Sequence, residues 1–197
     1  KESQDLKDYE EIKRDRLCDR LIKQEKALSD QDVVRLHKLA ILVQPLKEDN
    51  LAKYLKMEDI DFVMPLTNRL VERGIFDIRS KWFRHELVQR CIDDNLNNEE
   101  KRRYHNGAVE FYNSLREEKD GKSSYEISIG YAIHLHKAGK YEQAFIENKR
   151  LAEYGLKIGD LDVAERSYKR AIDDAERLGH IHDRMTCIYD MTQSVYF

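Results

Sequence analysis

The chain has few of the residues that break helices or build disulfide frameworks, and no large excess of charge. Its 197 residues include only 2 prolines, 8 glycines and 3 cysteines, and its formal net charge is −3. So few prolines and glycines leave little room for disordered linkers. The cysteines (Cys18, Cys91 and Cys187) are odd in number, widely spaced and without a CxxC pair, which predicts a reduced, cytoplasmic protein with buried thiols.

Other absences exclude whole classes of function. No apolar run approaches the ~20 residues that a membrane span needs, and the polar first residues predict no signal peptide. The 35 basic and 38 acidic residues nearly balance, so the chain has no excess of positive charge that would attract nucleic acid. The chain also lacks the GxxxxGK[ST], GxSxG and HExxH signatures, so we expect no enzyme activity from it and no catalytic residues.

What the sequence does contain is a repeat. Gly139, Gly159 and Gly179 stand twenty residues apart, and apolar residues at steps of three and four fill the intervals between them. Glycine ends helices because it adopts the left-handed backbone conformation without a side-chain clash. One period is therefore a helix and its turn, and the pattern predicts a stack of antiparallel helices over residues 125–197.

This stretch resembles tetratricopeptide repeats, in which a glycine, an aromatic and small residues recur around the turn and the second helix. The matching positions are Gly139, Tyr141 and Ala144, then Gly159, Leu161, Ala164, Tyr168 and Ala171. An ordinary helical bundle is the alternative. Both interpretations make the fold mainly α, with faces that only neighbouring helices can bury.

Upstream, the pattern predicts a charged N-terminal helix over residues 1–28, the tail of a preceding domain, and a winged-helix domain over residues 29–96. Ser29 is expected to cap the first of three helices, and Gly74 to end the third. Residues 75–78 and 81–83 then predict a two-stranded hairpin, the wing. A connecting helix and linker follow over residues 97–124.

A larger resemblance rests on the order of four segments. They are 27–40 (ALSDQDVVRLHKLA), 70–75 (LVERGI), 82–88 (WFRHELV) and 101–105 (KRRYH). Together they are similar to the region behind the ATPase core of STAND-class signalling ATPases, which include soluble adenylyl cyclases and maltose-type activators. The resemblance covers about residues 16–178 and implies a winged helix followed by tetratricopeptide-like repeats.

The same resemblance points to His85 as the one candidate site residue. In that family a histidine at the matching position reaches a phosphate of bound ADP, so the resemblance implies a nucleotide-sensing role that needs a domain absent from this chain. Local capping of the helix is the simpler interpretation. We accordingly expect no cofactor in this chain, while ATP or ADP would belong to the full-length protein.

Two other binding functions are disfavoured by the residues themselves. The predicted recognition helix carries three acidic residues (Asp59, Asp61 and Glu72) and two basic ones (Arg69 and Arg73). Because this helix is net acidic, the phosphate backbone of DNA would repel it. The paired histidines 134/136 and 180/182 have no third ligand nearby in the sequence, and residues two apart on a helix point away from each other. We therefore expect no metal site and no DNA contact.

These patterns predict a regulatory or scaffolding protein. Its repeats would bind a protein partner, an upstream domain of the same chain or a neighbouring protomer in a homo-oligomer, and its winged helix would relay that event to an ATPase or cyclase. The alternatives are a DNA-binding transcription regulator and a purely architectural repeat adaptor. The apolar end of the sequence predicts further repeats beyond Phe197.

Overall fold

The computed structural model describes residues 18–19, 23, 27–42, 46, 48–56, 63–77, 79–80, 82–84, 86–117 and 125–195. These residues contain nine α-helices and no β-strand, so the prediction of a mainly α protein is confirmed. The chain divides into two compact units, Lys1–Tyr104 and His105–Phe197. The predicted division into four segments stays a prediction. Most of the predicted N-terminal helix (1–28) and all of the predicted linker (120–124) lie outside the described residues.

The N-terminal unit is built from short helices. They are α1 (Asp30–Ala40), α2 (Glu48–Leu55), α3 (Val63–Glu72), α4 (Glu86–Asn95) and the beginning of α5 (Asn98–Glu117). The Ser29 hydroxyl accepts a hydrogen bond from the Asp32 backbone N–H at 3.2 Å, which confirms the predicted cap of α1. Gly74, with φ of 68°, follows α3 as expected.

Packing in this unit joins α1 to α4 and α2 to α3. The Gln89 side chain of α4 donates to the backbone oxygens of Ala40 and Leu42 at 2.9 and 2.6 Å, and so satisfies carbonyls at the end of α1. The core between the helices is aliphatic and includes Leu36, Leu39, Leu66, Leu70, Ile75, Val88 and Ile92.

The predicted wing is wrong for the described residues. Phe76 and Phe83 form a single antiparallel bridge, and no strand extends from it. The Asp77 carboxylate accepts hydrogen bonds from the backbone N–H groups of Arg79 and Ser80 at 2.9 and 3.0 Å. Backbone hydrogen bonds also cross this turn, from Asp77 N–H to the Trp82 oxygen at 2.8 Å and from Arg84 N–H to the Ile75 oxygen at 3.0 Å. The rings of Phe76, Trp82 and Phe83 pack on one another, so aromatic contacts hold this loop together.

The C-terminal unit is a consecutive stack. After the end of α5 it contains α6 (Tyr125–Lys137), α7 (Tyr141–Ile158), α8 (Leu161–Leu178) and α9 (Ile181–Val195), and each packs on the next. The three periodic glycines have φ values of 77°, 80° and 72°, which places all three in the left-handed region. The predicted helix boundaries of the repeat are therefore confirmed.

The small residues of the repeat form the core as expected. Ala144, Ala152, Ala164, Ala171 and Ala175 are buried, and Tyr168 and Cys187 pack with them. Small side chains let neighbouring helices approach closely. Leu161 is the exception, because it begins α8 on the solvent side and is about half exposed.

The prediction of three buried thiols is wrong for two of the cysteines. Cys18 and Cys91 are joined by a disulfide, and only Cys187 is a free thiol. An odd count with irregular spacing did not reveal this pair, because residues 73 positions apart meet only through folding. The cytoplasmic location loses this support and stays a prediction.

Candidate functional site

The candidate nucleotide-sensing residue, His85, lies outside the described residues, and its role stays a prediction. Its neighbour Glu86 begins α4 and pairs with Arg90 one turn later at 2.6 Å. Both side chains are exposed, which makes this an ordinary surface pair along a helix.

Two arginines, Arg69 of α3 and Arg73 just after its end, make contacts within the protein. The Arg69 guanidinium donates to both carboxylate oxygens of Asp32 at 3.0 and 3.1 Å, and Asp32 is buried at the start of α1. The Arg73 side chain donates to the Ala27 backbone oxygen at 2.9 Å. The bidentate pair with Asp32 neutralises the charge of Arg69, so α3 does not form a basic surface.

A buried polar cluster lies where α5 meets α6. The Nδ1 atoms of His105 and His134 are 2.9 Å apart, and the Tyr112 ring stacks on His134 with centroids 5.4 Å apart. Neither the Tyr112 hydroxyl nor His134 Nε2 has a hydrogen-bond partner among the described residues. Burial lowers the pKa of His134 well below 6.5 and raises the pKa of Tyr112 to about 12. Both side chains are therefore held neutral in the core.

A second buried network joins α6, α7 and α8. The Asp174 carboxylate, fully buried on α8, lies 2.6 Å from His136 Nδ1 and accepts from the Asn148 amide at 3.1 Å. The Arg170 guanidinium donates to the Asn148 side-chain oxygen at 3.0 Å and to the Ser167 hydroxyl at 3.1 Å. The network satisfies these polar groups and sets the register of three helices.

The two networks explain the paired histidines. His134 faces α5 while His136 faces α8, so they point to different neighbours, as their spacing predicts. His180, which immediately precedes α9, lies 3.6 Å from Asp183 in the first turn of that helix. The part of the chain that the structure describes has no group of three or more His, Cys, Asp or Glu side chains placed to hold a metal ion.

The exposed apolar side chains of the C-terminal unit are the remaining feature with functional potential. On α7, Ile146 is 59% exposed, and Tyr154 and Ile158 are about half exposed. On α9, Ile181 is 76% exposed, and Met185 and Tyr189 follow it at intervals of four residues. Apolar residues that align along one helix face and stay in water mark interaction surfaces.

The sequence patterns described above did not predict this surface, although Tyr154 and Tyr189 belong to it. Ile146, Ile158 and Met185 were missed, although each falls outside the buried face of its helix. No pattern within α7 or α9 alone marks them, because the sequence does not show which faces the neighbouring helices cover.

Comparison with known proteins finds no matching family model, no similar curated protein and no similar solved structure. The interpretation as a winged helix and tetratricopeptide-like segment of a STAND-class ATPase is therefore wrong. The described residues have no β-strand where the wing was predicted, and no family match supports the assignment. Among the described helices, none combines the length and apolar character that a membrane crossing requires.

Proposed function

We propose that the C-terminal unit is a protein-binding module of stacked helical repeats, with a regulatory or scaffolding role. The observation that supports this most is the alignment of exposed apolar side chains on α7 and α9. α7 buries Ala144 and Ala152, and α9 buries Cys187, so the exposed apolar residues of both helices are not part of the core. The tetratricopeptide-like form of the stack stays a prediction.

A rigid scaffold supports this function. Glycines with positive φ end α6, α7 and α8 in the same way, and the network around Asp174 links these three helices. A surface that is already ordered loses less conformational entropy when a partner binds. Helical-repeat stacks bind partners in this way through extended surfaces.

DNA recognition has less support than protein binding. Arg69 of α3 pairs with Asp32, and Arg73 just after α3 donates to the Ala27 carbonyl, so these arginines are engaged within the protein. The near-neutral net charge of −3 adds no long-range attraction to nucleic acid. We propose no catalytic step and no cofactor for this chain.

The proposal is tested by affinity capture with three paired variants. Ile146→Ser/Ile158→Ser alters the α7 surface, Ile181→Ser/Tyr189→Ser alters the α9 surface, and Arg166→Ser/Lys169→Ser changes exposed positions on α8 as a control. We expect one stoichiometric partner that is lost with a surface variant and retained by the control. Identical captured proteins from all variants, with circular dichroism showing intact helices, would overturn the proposal.

A further inference from the structure

One exposed surface combines apolar and basic side chains on a single helix. Ile146, Arg150, Tyr154 and Ile158 follow one another at intervals of four residues along α7, and we call this row the α7 ridge. Its length is about 18 Å, because each helical residue advances about 1.5 Å. Rows of residues four apart are the ridges with which helices pack against other helices.

The α7 ridge is separate from the core that α7 shares with α8. Ala144, Leu151 and Gly155 occupy the buried face of α7. A Cβ atom added at Gly155 would lie 3.0 Å from the Asp160 backbone oxygen and 3.1 Å from the Ala164 nitrogen, which shows how closely this side is packed. Within the ridge, the Tyr154 ring leans on Tyr125 at 5.2 Å between centroids, so its position is already restrained.

The positive charge on the ridge is weakly balanced. The Arg150 side chain is 60% exposed, and its distance to Glu147 is 3.9 Å. Glu147 instead makes a 2.9 Å ion pair with Arg116, whose guanidinium also lies over the Tyr131 ring. Lys157, beside Ile158, forms no ion pair with any residue that the structure describes.

An exposed acid, Glu153, lies beside the ridge. It follows Arg150 by three residues and precedes Lys157 by four, so it shares their side of α7, and its charge also contributes to raising the pKa values of Tyr168 and Cys187. The ridge therefore presents apolar side chains beside two cations, Arg150 and Lys157, with Glu153 as a neighbouring acid. A docked segment gains most from this surface if it matches the apolar row and carries carboxylates beside it.

We propose that the α7 ridge binds an amphipathic helix of a partner protein, with an apolar row that packs on Ile146, Tyr154 and Ile158 and acidic residues that pair with Arg150 and Lys157. This inference rests on the protein-binding function proposed above and specifies the chemistry of the partner. A helix fits better than an anionic lipid surface or nucleic acid, because two cations in an apolar row are too few for charge-driven binding.

The test is a selection from a displayed library of helical peptides. The library keeps one leucine row at intervals of three and four residues and randomises the flanking positions among acidic, basic and neutral residues. Selection uses the full chain, with removal of peptides that also bind the Ile146→Ser/Ile158→Ser variant. We expect the enriched helices to be acidic at the flanks.

Charge reversal on the ridge provides the quantitative readout. For the best enriched helix, we expect Arg150→Glu/Lys157→Glu to raise the Kd about tenfold or more. The matched control, Arg166→Glu/Lys169→Glu on the exposed face of α8, makes the same charge change and should leave the Kd within about twofold. An equal loss of affinity with both variants would show only net-charge attraction and would overturn the proposal.

Three other outcomes also overturn it. Enrichment of basic or neutral helices that still require Ile146 and Ile158 would refute the acidic partner while leaving the protein-binding function intact. Binding to phosphatidylserine vesicles that depends on Arg150 and Lys157, without any enriched helix, would assign the ridge to lipid. No enrichment of any kind would remove the ridge as a docking site, and the function would then depend on the separate α9 surface.

Discussion

Gly130 and Tyr112 show how one missing side chain organises the C-terminal unit. A Cβ atom added at Gly130, in the middle of α6, would lie 2.6 Å from two ring atoms of Tyr112. The ring cannot move aside easily, because it is buried and stacked on His134. Glycine in a helix interior is unfavourable by itself, so its presence here reflects the space that the tyrosine ring takes.

We therefore predict opposite effects for two glycine-to-alanine substitutions. Gly130→Ala should lower the free energy of unfolding by about 1–2 kcal/mol, because overpacking outweighs the gain in helix propensity. Gly107→Ala, in the interior of α5 with nothing within 4 Å of the added Cβ, should raise it by about 0.5–1 kcal/mol. Urea denaturation compares the two, and a stabilised Gly130→Ala variant would contradict the packing described for Tyr112.

His134 makes stability depend on pH. Burial, with smaller contributions from His105 and Lys137, holds its folded-state pKa well below 6.5. Between that value and the ordinary histidine pKa of about 6.5, the unfolded chain binds a proton that the folded chain excludes. His134 therefore stabilises the fold fully above pH 6.5 and contributes less as the pH falls.

The expected slope is up to about 1.4 kcal/mol of unfolding free energy per pH unit below pH 6.5. His134→Leu should reduce this slope, whereas His182→Leu, at an exposed position on α9, should leave it unchanged. Urea denaturation between pH 7.5 and 5 measures it. Equal slopes for the wild type and His134→Leu would show that His134 titrates normally in the folded protein.

At the scale of elements, the helix boundaries were predictable and the contacts between helices were not. Gly139, Gly159 and Gly179 predict helix ends from local backbone preference alone, and the structure confirms them. The wing was wrong because β-pairing depends on partners across a turn, and among the described residues this pairing stops at the Phe76–Phe83 bridge with its two flanking backbone hydrogen bonds. The network around Asp174 was also missed, because its members come from three helices.

That network leads to a prediction about two adjacent carboxylates. Asp174→Ala removes the buried acceptor for Asn148 and His136, and we expect a loss of about 3 kcal/mol in unfolding free energy. Asp173→Ala removes partly exposed contacts with Arg177 and with the outer nitrogen of His136, and should cost less than about 1 kcal/mol. Thermal and urea denaturation provide both values. Similar losses for the two variants would mean that the buried network does not hold the three helices together.

At the scale of the whole molecule, the disulfide is the strongest covalent constraint. Cys18 and Cys91 lie 73 residues apart in the sequence, and a loop of that size is expected to contribute about 4 kcal/mol through the unfolded state. Reduction of the disulfide, or the substitution Cys91→Ser, should therefore lower the unfolding free energy of the N-terminal unit by about 4 kcal/mol. Cys187→Ser serves as the control for general thiol effects.

Peptide mapping without reductant tests the pairing directly. We expect Cys18 and Cys91 in one linked peptide pair and Cys187 as a thiol. Burial raises the pKa of the Cys187 thiol, so it should react slowly with alkylating reagents until the chain unfolds. Rapid alkylation of Cys18 and Cys91 under native, non-reducing conditions would show that the two are not joined.

The sequence by itself determined that this protein is mainly helical and where the helices of its repeat end, because helix propensity, capping and the left-handed freedom of glycine act within a few residues. Only the tertiary structure decided which cysteines meet, which histidines are held neutral and which apolar side chains stay in water. Those outcomes depend on residues far apart in the chain. The exposure of Ile146 and Ile158, for example, follows from where α8 packs on α7 and not from any feature of α7 alone.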